Sequence, residues 1–375
     1  MSEKIRNVVI VGGGWAGTLI ARDLSAKLDG SRYNIILIGD RSYCIDLIAG
    51  ARMCIDLRTR RSYLSTGSST TVRARSRLKI GKVISIDDDI YGYGGEVVLN
   101  DGERIPYAAL VLATGSSWPG RFGFPEKDAD LRSHINSWRD RYEKAEHVVI
   151  AGGGAVGIET AGEIKDIWPS KKVTIVHSEA QLLNDAYPQK FRKDIERRAR
   201  LRGIDIILGD KVDMLPETTI GVVTRNGRRL PDVDLVVPAF GSRPNTGFIS
   251  SLGGGVLTRR GTVRVNKCLE VLGHHGVFAA GDVIEWNEQK QAVKASTHAI
   301  VVAANVINFL ECKPYKKTYK GNYELILIPL GRISATMGGA GYFVFLWGIM
   351  FGDFFSRLLK GKDLLVSQAR AARGY

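Results

Sequence analysis

Apolar and polar positions along the chain fall into one arrangement twice. Residues 8–17 read VVIVGGGWAG and residues 148–157 read VVIAGGGAVG, identical at seven of ten positions and 140 residues apart. In each copy a β-branched run predicts a buried parallel strand. A glycine cluster follows, then a segment of helical character: TLIARDLSAKL in the first copy, IETAGEIKDI in the second. A further apolar strand closes each unit, NIILIGD (34–40) and KKVTIVHS (171–178). Strand, glycine turn, helix and strand, twice over, predict two βαβ units and argue against a single domain.

Between the copies, RLKIGKVISIDDD and GGEVVLNDGERIPY alternate around a Gly-rich turn and predict an antiparallel strand pair. AALVLATGSSWPG (108–120) is an apolar strand that stops at Thr114-Gly115. The second half repeats this scheme with GIDIILGD, a hairpin VVTRNGRRLPD around Asn-Gly, and LVVPAFGSRPN (235–245), where Gly241 takes the glycine position. GVFAAGDVIEW (276–286) follows, then a helix expected from Lys290 to Leu310. The last 50 residues or so turn β-like (YELILIPL), glycine-rich, then aromatic, as a separate module would. The expected class is α/β, with two Rossmann-like dinucleotide-binding domains and a small C-terminal α+β module.

Composition narrows the classes. A length of 375 residues suits two or three domains, and 44% apolar with 25% charged residues excludes disorder and low complexity. The 43 glycines are bunched rather than periodic, which excludes collagen and points to loops where backbone approaches something closely. Cys44, Cys54, Cys268 and Cys312 form no CxxC or CxxxxC pair, so they read as reduced thiols rather than a disulfide framework or zinc site. No secretory signal opens the sequence, Ser2 excludes N-myristoylation, and no run approaches the roughly 20 apolar residues of a membrane span. The expectation is a cytoplasmic protein, peripheral at most on a membrane or lipid droplet.

The glycine clusters carry the first chemistry. Gly12-Gly13-Gly14, with Trp15, Ala16 and Gly17, follows a strand and opens a helix, the context that gives GxGxxG its meaning. Gly12 permits the tight turn, Gly14 lets backbone approach a pyrophosphate, and Gly17 packs helix on strand. The phosphates then lie at a helix N-terminus, where free N–H groups and the dipole favour them. Asp40 is the expected ribose-binding acid. Gly152, Gly154 and Gly157 repeat the logic, but there the second strand ends in His177-Ser178, with no carboxylate at the ribose position. That permits NADPH as well as NADH, with His177 or Lys172 available to a 2′-phosphate. Glu159 and Glu163 share a helix face, Glu159 being placed to face the nicotinamide end. Asp282, after Gly281 in GVFAAGDV, suits a carboxylate that accepts from a ribityl hydroxyl. Together with Thr114 and Gly115 it points to a flavin beside a nicotinamide.

The order GGGxxG, ATG, GGGxxG, AGD resembles the two-dinucleotide-binding-domain flavoproteins of the pyridine nucleotide–disulfide oxidoreductase fold. Within them, VTIVHSEAQLL, KASTHAIVVAANVINF and RLLKGKDLLVS resemble the apoptosis-inducing-factor-like branch that includes ferroptosis suppressor protein. The resemblance implies FAD in a discontinuous domain (1–120 and 255–322), NAD(P)H in 121–254, and a C-terminal module at 323–375. It also implies hydride transfer to flavin and then electrons to a quinone. Residue by residue, Arg52 matches an arginine of the flavin site, Val83 a residue whose backbone meets adenine, and Lys360 a lysine near the isoalloxazine. The segment YCIDLIAGAR (43–52) lacks the paired histidines of that branch, and Lys294 replaces a histidine.

Without CxxxxC, reduced flavin has no internal disulfide to reduce and must serve a diffusible acceptor. Lys294 and His298, four apart on the helix expected beside the ring's pyrimidine end, could set a cation against it. The net charge of +14 and the run Arg52, Arg58, Arg60, Arg61, Arg73, Arg75, Arg77, Lys79 suit anionic lipid or NADPH attraction. Nucleic acid is the weaker reading, because only charge supports it. Residues 341–362, aromatic with a basic end, suit a membrane interface or a homodimer contact.

Overall fold

The computed structural model describes residues 5–45, 47, 50–56, 64–65, 76–89, 94–214, 220–322, 324, 326, 328–331, 343–345 and 349–351. Two parallel sheets form its frame. In the first, the order across the sheet is Val277–Ala279, Ala109–Leu112, Arg6–Val11, Tyr33–Gly39, Ser76–Ile80. In the second it is Ile204–Leu208, Lys172–His177, His147–Ala151, Leu235–Pro238. Past their polar starts (Arg6-Asn7 and His147), the central strands are apolar because both faces of the sheet are covered.

The sequence echo is an echo in register. Val11 pairs with Ile38, and Ala151 with Val176. The chain then leaves each strand through a glycine turn into a helix, Trp15–Lys27 in one unit and Ala155–Ile167 in the other. Gly12 N–H donates to Ile38 O and Gly152 N–H to Val176 O, each at 2.8 Å.

Two expectations are corrected. The predicted strand pair is a three-stranded antiparallel sheet, Val83–Asp89, Gly94–Leu99 and Arg104–Tyr107, because Asp101-Gly102 turns the chain inside the second segment. The helix expected from Lys290 starts at Ala292, since Gln291 is extended (φ −144°). That helix, Ala292–Leu310, has the 19 residues and mean hydropathy (1.3) of a membrane span. Its buried positions, among them Val302, Ala303 and Val306, join the first core instead.

The units meet through short connections. Ser116–Ser117 pairs antiparallel with Arg243–Pro244, and Asn245 N–H donates to Gly115 O at 2.9 Å. Of the chain beyond 322, Ile326, Ile328 and Leu330 are buried in the core of the second unit. A Cβ on Gly162 would lie 2.5 Å from Leu330 backbone, so the helix accepts this segment only because it carries glycine there. Lys360 and most of 341–362 lie outside the described residues; Phe343–Phe345 and Ile349–Phe351 pair antiparallel.

Candidate functional site: two glycine turns on one cavity

A cavity of about 1960 Å³ opens between the units, and both glycine turns line it. It lies at the carboxyl ends of the parallel strands, where open α/β sheets bind ligands. At Gly12 (φ +116°) a Cβ would lie 2.3 Å from Ala113 O, and at Gly152 (φ +126°) 2.4 Å from Ala239 O. Cβ atoms on Gly17 and Gly157 would strike the carbonyls of Gly12 and Gly152 at 1.9 and 2.0 Å. Glycine is therefore required where helix meets strand. Gly14 and Gly154 have nothing within 4 Å of a built Cβ and face open space.

Neither helix has a side-chain cap or an acidic residue in its first turn. The first N–H groups of a helix lack intrahelical partners. Both helix N-termini stand at the cavity, where the dipole favours an anion.

Asp40 follows the last residue of its strand directly and lines the cavity, as do Trp15, Ala16, Val83, Thr114, Gly115, Gly241, Gly281 and Asp282. Thr114 Oγ1 donates to Asn245 O at 2.6 Å, tying the ATG turn to the second unit. Asp282 Oδ2 accepts from Ser116 Oγ at 2.9 Å. Glu159 lines the cavity, whereas Glu163 turns away and is buried.

Glu163 turns away toward Arg52. The guanidinium Nε lies 3.0 Å from both carboxylate oxygens and Nη2 lies 2.8 Å from one, with both side chains almost fully enclosed. Arg52 is thus neither part of an exposed basic run nor on the cavity wall. Removed from water, such a forked pair holds only because each charge satisfies the other. Of the basic run, residues 57–63 and 66–75 lie outside the described residues, and Lys79 pairs with Glu103.

Lys294 and His298 also stand behind the wall, each 1% exposed. Lys294 pairs with Glu324, and His298 Nε2 lies 3.1 Å from Glu288 Oε1. The cation that does line the cavity at this helix start is Lys290, whose Nζ donates to Ile284 O at 2.7 Å. Burial lowers its pKa from the ordinary lysine value, with Glu288 opposing. Sequence reasoning passed over Lys290, although it is the last charged residue before the helical apolar pattern.

At the second turn, His177 Nδ1 accepts from Gly153 N–H at 3.1 Å and its Nε2 lies 3.3 Å from Leu183 O. The ring lines the cavity, and burial lowers its pKa from the ordinary histidine value. Lys172 is not there: it begins its strand, at the opposite end from the cavity, and pairs with Asp232 at 2.7 Å. Glu179, Asp213 and Arg225 line the cavity near this strand end, Arg225 paired with Asp213 at 2.6 Å.

No cysteine lines the cavity among the described residues. Cys54 is buried, and burial pushes its thiol up to about 12 against the pull of Arg121, so it is not a thiolate near neutrality.

Residues 6–299 match the family described as Pyridine nucleotide-disulphide oxidoreductase. The chain belongs to that family. It is a flavoprotein oxidoreductase, with FAD and NAD(P)H as cofactors. The glycine cradles and the uncapped helix ends fit two dinucleotides. Among relatives, the chain is 46% identical over 283 residues to FAD-dependent oxidoreductase FVFD30 of Flammulina velutipes, covering 75% of this chain and 86% of that protein. It is 32% identical over 386 residues to Ferroptosis suppressor protein 1 of Xenopus tropicalis, covering 98% and 96%. In fold it is similar to the sulfide:quinone oxidoreductase of Aquifex aeolicus, with a TM-score of 0.78 at 19% identity over 98% of this chain and 92% of that one.

Proposed function

We propose that this oxidoreductase takes electrons from NAD(P)H at the second glycine turn and delivers them, by way of FAD at the first, to a quinone. FAD, when bound, accepts a hydride and yields two electrons, and the protein's part is to position and to set charge. The observation that carries the reading is a single cavity shared by both turns with no cysteine among its described lining. Disulfide reduction needs a thiol pair at the flavin, so a diffusible acceptor is left. Leu47, Met214, Phe240 and Val293 are exposed apolar residues on the cavity lining and suit an apolar acceptor such as a quinone.

In this reading Gly12, Gly14 and Gly17 form the FAD pyrophosphate turn, Asp40 takes the ribose, the Val83 backbone meets adenine, and Asp282 accepts from the ribityl chain. Gly152, Gly154 and Gly157 seat NAD(P)H, with Glu159 toward its nicotinamide. Lys290 brings positive charge to the wall where electrons arrive, which Coulomb attraction favours. Arg52 and Lys294 support the wall through Glu163 and Glu324. Residues 1–120 with 255–322 make the FAD domain, 121–254 the NAD(P)H domain. Lys360 and 341–362 would sit at the acceptor side, against a membrane surface.

Anaerobic stopped flow tests the reading. The yellow protein should bleach with NADH or NADPH and recover its colour on mixing with a short-chain quinone. Recovery with oxygen or a small metabolite but with no quinone would reject the acceptor and leave the flavin chemistry standing. For the membrane surface, liposome co-sedimentation should fall for Trp347→Ser; equal sedimentation of both proteins would reject it.

A further inference from the structure

In the turn that carries Asp282, the Gly281 N–H finds its acceptor on a side chain rather than on backbone. Ala280 N–H completes the ladder to Leu112 O at 3.0 Å, and Gly281 O accepts from Ile284 N–H at 3.4 Å. Gly281 itself, at φ +80° and buried, donates its N–H to His298 Nδ1 at 3.1 Å. An Nδ1 that accepts fixes the tautomer: the ring proton is on Nε2. That nitrogen lies 3.1 Å from Glu288 Oε1, and the other Glu288 oxygen accepts from the Tyr319 hydroxyl. The Tyr319 ring meets the imidazole edge-on, centroids 4.4 Å apart at 87°. Burial pushes the Glu288 carboxyl up, but its neighbours His298, Tyr319 and Lys294 outweigh that and hold it below the usual range.

We propose that His298 is a positioning residue for FAD: it holds the Gly281 N–H and so aims Asp282 into the cavity, while Glu288 and Tyr319 keep its ring in the orientation that does this. Asp282 is then fixed from both sides, through its own backbone turn and through Ser116 Oγ. The same buried group reaches the rest of the wall. Glu324 accepts from Gln289 N–H at 3.1 Å and pairs with Lys294, and Gln289 to Ala292 line the cavity. The proposal rests on FAD at the first turn and is indifferent to which acceptor takes the electrons.

The test compares three replacements on the full chain: FAD titration of apo-protein, the visible flavin spectrum, and the melting temperature of the apo form. Loss of the partner of a buried N–H predicts that His298→Ala binds FAD about 10- to 100-fold more weakly, with shifted flavin bands. His298→Asn places an oxygen near the former Nδ1 and should recover FAD affinity to within about 3-fold of wild type. His298→Gln, whose amide reaches toward Glu288 instead, should not. Equal FAD affinities for the Asn and Gln variants would overturn the proposal. So would a His298→Ala protein that melts lower but binds FAD as wild type, since that is the behaviour of a histidine serving only the core. Should the alanine variant fail to fold, the Asn–Gln contrast decides alone.

Discussion

The two glycine turns share a backbone and differ in what stands over it. In both, the first glycine donates to the second strand at 2.8 Å and the third admits no Cβ. They part at the middle glycine. A Cβ on Gly13 would meet nothing within 4 Å, whereas one on Gly153 would lie 2.6 Å from Leu182 and 2.8 Å from His177. The strand registers make Gly39 the counterpart of His177, and Asp40 the counterpart of Ser178. The repeated motif therefore builds only the phosphate cradle. Its character comes from two residues at the end of the next strand, one pair small and acidic, the other an imidazole and a hydroxyl.

The sharpest way to separate the turns is to break each. Gly12→Ala should give a colourless protein, while Gly152→Ala should stay yellow yet resist bleaching by NAD(P)H. Each would lose at least about 100-fold in NAD(P)H oxidation, because strained backbone must shift where the cofactor sits. If both variants stay yellow and bleach normally, the assignment of the turns is wrong. Next in size, Ser178→Asp would give the second turn the acid of the first. A carboxylate repels a 2′-phosphate, so the kcat/KM ratio of NADH to NADPH should rise by about 10-fold; an unchanged ratio would place the ribose elsewhere.

Two smaller effects probe the middle glycine. Gly153→Ala should destabilise the apo-protein by about 1–3 kcal/mol through overpacking on His177 and Leu182. Gly13→Ala should change stability by less than about 0.5 kcal/mol, and equal melting shifts would erase the distinction. The smallest effect is in pH. His177 in the folded protein has a pKa below its ordinary 6.5, so as pH falls through about 6.5 the unfolded chain binds a proton first and stability declines. His177→Gln should flatten that part of the melting-temperature profile, and an unaltered slope would mean that His177 is not the group responsible.

The cradles were legible because their logic is local. A β-branched run, three spaced glycines and a helix lie within ten or so residues, and the structure places Asp40, Thr114, Gly115 and Asp282 on the cavity as their positions after strands implied. The charged candidates were not legible in the same way. Arg52 and Glu163 are 111 residues apart in sequence, and nothing near either one announces the other. Lys294 shares its helix face with His298 as helical spacing requires, but that face turns inward, where Glu288 and Glu324 were waiting. Helical periodicity tells which residues travel together and not which way their face looks. Lys290 was missed for the converse reason: it precedes the helix and belongs to no period.

The polypeptide crosses from one unit to the other at Ser116, returns near Pro244, and crosses again on the way from Glu324 to Leu330. Each passage is fastened, by the small ribbon at the first two and by buried isoleucine and leucine at the third. Two separate fastenings, the ribbon and the buried segment, resist twisting of the halves as well as their separation. A cleft fastened in this way is expected to admit and release small molecules without a large rocking of the halves.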